Sequence, residues 1–143
     1  LLSNTAAVSE QLLVGYGLVI YDNWCNELRK ENNENLVTIA CLVPHIFIHY
    51  EGKLRIKQFL ERSMRLLEEL DHASVMVAIS KYEEMISMCE KCMNQLLTQT
   101  PQSAEEARTK RQMLIGVLQR SRELEEEALR EIAAAISGES QGS

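Results

Sequence analysis

The sequence predicts a mainly α fold, a multi-helix bundle of about five helices with a long C-terminal helix. Three observations predict it. Val75, Ile79, Tyr82, Ile86, Cys89, Met93 and Leu96 recur at alternating steps of four and three, with Ala78, Met85 and Cys92 widening the seam on one side. A stripe that broad belongs to a helix facing several others rather than to a two-stranded seam. Leu60, Met64, Leu67 and Leu70 mark a helix just before it, and Leu114, Val117, Leu118, Ser121, Leu124, Ala128, Ile132 and Ala135 trace a longer one after it.

From Thr5 to Lys30, Leu13, Gly17, Ile20, Trp24 and Leu28 share one helical face. Gly15 and Gly17 each cost about 1 kcal/mol against alanine in a helix interior, so they are expected where a neighbour packs closely. Glu31 to Asn35 is a polar connector that offers Asn35 as an N-cap.

The stretch 36–57 carries two patterns at once. Leu36, Ile39, Ala40, Val43, Phe47 and Tyr50 satisfy a helical period with Pro44 as a kink. The β-branched residues and the alternation from His45 to Tyr50 also suit a strand, Glu51-Gly52 reads as a turn, and Lys53 to Lys57 alternates again. A β-hairpin at about 45–57 is therefore the competing reading. Cations at Lys53, Arg55 and Lys57 favour it, because they are misplaced at the positive end of a helix that starts there. Helix remains the first expectation, since a lone hairpin needs covering.

Helix is expected again from Gln58, and Asp71 is placed to cap the next one. Pro101 ends that helix, and Ser103-Ala-Glu-Glu106 is a capping box that starts the last. Gly116 is expected where a partner backbone approaches. Glu106 with Lys110, Arg122 with Glu126, and Glu126 with Arg130 are spaced to pair along the outer face. Gly138 stops the helix, and residues 138–143 read as a disordered tail.

Residues 1–137 are thus expected to form a single helical domain, read as a segment of a larger protein because the chain opens at Leu1 in helical sequence. Helical pairs of the HEAT or armadillo kind across 36–97 are the alternative architecture. A net charge of −6 makes nucleic acid an unexpected main partner. The longest apolar run, 36–48, contains Pro44 and His45 and is too short for a bilayer, so no membrane role is expected. The four cysteines lie inside apolar patterns, which points to a reducing compartment, cytoplasmic or nuclear.

Chemistry is sparse. Cys89 and Cys92 face one way on a helix and supply half a tetrahedral zinc site, which His45 and His49 complete if their stretch is helical. Both cysteines also fall on the apolar stripe, where a buried core role is the stronger expectation. No glycine-rich phosphate loop or activated nucleophile is present, so neither catalysis nor a cofactor is expected. Tyr82-Glu-Glu-Met85 resembles a phosphotyrosine docking motif, but Tyr82 belongs to the core stripe. Arg108, Lys110 and Arg111 form a small basic cluster diluted by Glu105 and Glu106.

The functional expectation is a non-catalytic helical domain that assembles its parent through a protein partner or by self-association. Leu114, Val117, Leu118, Leu124, Ile132 and Ile136 are the expected anchors, unless they close the domain's own core. A zinc-stabilised regulatory module is the first alternative, and a weak RNA-binding or nuclear adaptor domain using Arg108 to Arg111 is the second.

Overall fold

The computed structural model describes residues 18–26, 28–29, 36–98 and 103–137, with backbone alone at 36–45 and 97–98. The described residues form four helices and no strand. Helix α1 covers 18–26 and 28–29, α2 runs Leu36–Leu66, α3 His72–Thr98 and α4 Ala104–Ser137. The mainly α expectation holds, with four helices in place of five. Gly15, Gly17, Asn35 and the tail 138–143 lie outside the described residues.

No hairpin forms at 45–57. One helix passes through Pro44 and through Glu51-Gly52 without a turn. The electrostatic argument for the hairpin assumed a helix that begins at Lys53. Because α2 begins far upstream, Lys53, Arg55 and Lys57 sit in its middle, away from the positive end of its dipole. Two of them are matched from neighbouring helices: Lys53 meets Glu125 at 2.7 Å and Lys57 meets Glu83 at 3.8 Å.

Of the three anticipated caps, the two among the described residues, Asp71 and Ser103, are present. Asp71 accepts from the Ala73 amide at 3.1 Å and from the Ser74 hydroxyl at 3.2 Å, which starts α3. Ser103 Oγ accepts from the Glu106 amide at 3.1 Å, which starts α4. Gly116 departs from expectation: it is exposed, and a Cβ added there would meet nothing within 4 Å.

Cross-helix contacts fix an up-down-up-down arrangement. Tyr50 reaches Glu90 while Lys57 reaches Glu83, so α2 and α3 run antiparallel. Arg120 meets Glu84 and Lys81 meets Glu127, which sets α3 against α4 in the same way. Asp22 pairs with Arg122 at 2.9 Å and the Cys25 thiol donates to the Ile115 carbonyl at 4.0 Å, so α1 runs antiparallel to α4. As the stripe implied, α3 packs along both α2 and α4.

Two apolar clusters fill the bundle. The lower one draws on all four helices, including Leu18, Cys25, Ile46, Cys92, Leu114 and Leu118. The upper one is built from α2, α3 and α4 with Leu60, Val75, Ile79, Met85, Leu124 and Ala128. The long stripe on α4 serves both. Leu114, Leu118 and Leu124 are therefore buried within the chain, and Val117 and Ile132 are half-buried against its core.

Candidate functional site

A polar layer lies between the two clusters, centred on Glu125, which is only 7% exposed. Each helix contributes one side chain. Tyr21 from α1 donates to Oε1 at 3.0 Å and Tyr82 from α3 donates to Oε2 at 3.0 Å. Lys53 from α2 reaches both oxygens, at 2.8 and 2.7 Å. Burial, then the charge of Glu125, holds both tyrosine hydroxyls far above their usual range, so they remain protonated donors.

His49 borders this layer with its Nε2 3.4 Å from the Tyr21 oxygen and its ring edge-on to Tyr21 and Trp24. Tyr21 has a single hydroxyl proton and gives it to Glu125. His49 Nε2 is therefore the donor in its contact with Tyr21. Burial foremost, with Lys53 adding to it against the pull of Glu125, lowers the His49 pKa to about 4. The ring is neutral at physiological pH.

Sequence reasoning placed Tyr82 in the core and passed over Glu125, Lys53 and Tyr21 as partners. One signal was available. Glu125 stands four residues after Ser121 and three before Ala128, both on the buried stripe, so its position faces inward despite the run of surface acids around it. No comparable spacing announced Lys53, whose role depends on α2 being continuous.

The proposed zinc residues are separated in role. Cys89 and Cys92 are buried free thiols, and Cys92 belongs to the lower cluster. Burial, followed by the neighbouring Cys92, pushes Cys89 up to about 12; burial alone pushes Cys92 to about 11. Burial thus disfavours the thiolate form at both cysteines, the form in which a thiol binds metal. His49 is engaged with Tyr21, and the side chain of His45 lies outside the described residues. Among the described residues, no three metal-ligating side chains gather.

The basic cluster is likewise dispersed. Arg111 is buried, Lys110 donates to the Gln95 carbonyl at 3.2 Å, and Arg108 points to solvent. Cavities are small or open. One of about 80 Å³ between α1 and α4 is lined by Asp22, Cys25 and Arg122, far below the volume of a metabolite pocket. Another, of about 300 Å³, is a furrow among Gln58, Glu61, Arg62 and Arg65 on the outside of α2 alone, with no opposing wall.

The feature that stands out is on the surface. Ile48, Phe59 and Leu66 on α2 are 67%, 64% and 72% exposed. With Gly52, Arg55 and Arg62, all exposed, they occupy positions 48, 52, 55, 59, 62 and 66, alternating four and three residues along one face. This face is turned away from the side that carries Ile46, Lys53, Ile56 and Leu60 into the bundle. Of the anchors expected on α4, Ile136 is the exposed one, at 74%. It lies at the end of the bundle where α3 exposes Met76 and Val77.

Sequence had assigned the stripe on α4 to a partner and read α2 as ambiguous. The exposed seam on α2 is legible at helical spacing only once its continuity is known. No helix among the described residues is long and apolar enough to cross a membrane. In comparisons with protein-family models, with curated protein sequences and with solved structures, the chain matches none.

Proposed function

We propose that this chain is a non-catalytic helical interaction domain that binds a protein partner through the outer face of α2. The observation that carries the reading is the seam of Ile48, Phe59 and Leu66, three large apolar side chains left in water at helix-packing intervals. The interior supports it. The carboxylate of Glu125 is occupied by donors from the three other helices, which supports a structural role for this layer. Anchoring moves from α4 to α2 because Leu114, Leu118 and Leu124 are spent on the domain's own core.

A photoreactive side chain at position 59, introduced in the cells that make this protein, tests the reading. Discrete adducts of one or a few masses, absent when the probe replaces exposed Arg108, are the expected result. No adduct, or the same ladder from both positions, overturns it.

A further inference from the structure

We infer that the α2 seam receives an acidic amphipathic helix from another protein, seating apolar side chains among Ile48, Phe59 and Leu66 and carboxylates on Arg55 and Arg62. This rests on the interaction reading above and adds the chemistry of the partner. The geometry comes first. Steps of four and three across 48–66 extend roughly 27 Å at about 1.5 Å per residue, the repeat with which one helix lies along another. At Gly52 nothing lies within 4 Å of an added Cβ, so the seam is open to an incoming side chain one turn from Ile48.

Charge specifies the rest. The cations that face sister helices are matched: Lys53 by Glu125, Lys57 by Glu83, Lys81 by Glu127 and Arg120 by Glu84. Arg55 and Arg62 on the seam, and Arg65 beside it, make no ion pair with any described residue. Glu51 lies beside the seam and Glu61 on its far flank, so arginines outnumber acids on this face. An arginine between apolar anchors is suited to bidentate capture of a carboxylate at the edge of a helix interface.

The same charges argue against other occupants. A two-fold contact between copies of this chain would bring together two seams that each carry arginines and no carboxylate at positions 48, 52, 55, 59, 62 or 66. An anionic membrane would meet a protein of net charge −6, with Glu68 and Glu69 exposed at the C-terminal end of the seam.

The test uses two fluorescent helical peptides of about three heptads, with leucine along one face and either glutamate or lysine flanking it. Anisotropy is read against the full chain. The expected result is saturable binding of the glutamate peptide, about tenfold or more tighter than the lysine peptide and weakened by salt. The doubly exchanged chain, Arg55→Glu with Arg62→Glu, should reverse that preference. Both positions are exposed, and its circular dichroism verifies that it is folded. Phe59→Ala should weaken both peptides alike.

Equal binding, no binding, or binding only to phosphatidylserine vesicles overturns the inference, as does a dimer in light scattering that Phe59→Glu dissolves. Position-59 adducts in cells without preference for the acidic peptide would remove the acidic helix and leave the interaction reading standing. Absence of those adducts removes both.

Discussion

Glu125 holds a charge where charge is expensive. Lys53 repays part of that cost, and the two tyrosines fill the remaining acceptor sites. Removing the carboxylate strands the part-buried lysine and leaves two buried tyrosine hydroxyls without their acceptor, so Glu125→Leu is expected to lower stability by about 3–5 kcal/mol. Tyr21→Phe and Tyr82→Phe leave the ion pair intact and should each cost about 1 kcal/mol. Urea unfolding orders the three, and a Glu125→Leu variant no weaker than the tyrosine variants would show that the ion pair is not the centre of the layer. His49 gives the layer a pH dependence. Its pKa is near 4 folded against 6.5 ordinarily, so between these values the unfolded chain binds a proton that the folded chain refuses. Stability from this residue is complete above about pH 6.5 and declines as pH falls toward 4. Unfolding midpoints measured across that window should fall less steeply for His49→Gln than for the parent. None of this layer was assembled from the sequence. Glu125 sits among Glu123, Glu126 and Glu127, and composition hides what the three-and-four spacing to Ser121 and Ala128 reveals.

At the scale of single helices, most of what formed was legible. Asp71 and Ser103 cap α3 and α4 because short side-chain oxygens reach free amides at a helix start, a local effect that sequence records directly. The pairs Arg122 with Glu126 and Glu126 with Arg130 form at 3.7 and 2.8 Å, as four-residue spacing on a helix dictates. Helix α2 was harder to read because its strongest local cues, Glu51-Gly52 and the polar alternation after it, are overridden by packing between Ile46 and Leu60. Ile46, Leu60 and the Lys53 pair hold it against the bundle on both sides of the glycine. A glycine kept helical in this way carries a cost in backbone entropy, and no neighbour within the chain needs the space it leaves. Gly116 shows this most simply, being exposed with open space where a Cβ would go. Gly116→Ala is expected to stabilise the chain by about 0.5–1 kcal/mol, read as a higher urea midpoint. A lower midpoint would mean that something does approach this position.

For the molecule as a whole, the apolar pattern identified a helical bundle but misjudged which apolar surface remains available. Periodicity says that a stripe is buried and not against what, so the stripe on α4 could be assigned to a partner while it was closing the core. The arrangement of charge leads to an expectation for the intact chain. With two arginine-bearing seams brought together in a two-fold contact through α2, light scattering should give a mass near 16.3 kDa over a wide concentration range. A stable dimer would move the partner of α2 from another protein to a second copy. The polar layer bears on how such a contact is felt elsewhere. Because one group from each helix converges on a single carboxylate, all four helices share one fixed axial setting, as keyed shafts do. A slide of α2 by one turn, about 5.4 Å, would carry Lys53 out of reach and leave Glu125 without its counter-ion. Docking of the proposed partner on the outer face would therefore have to break this ion pair before it could ratchet the helix along its neighbours. Force applied there would then pass to the bundle as a whole, the behaviour of a coupling and not of a spring.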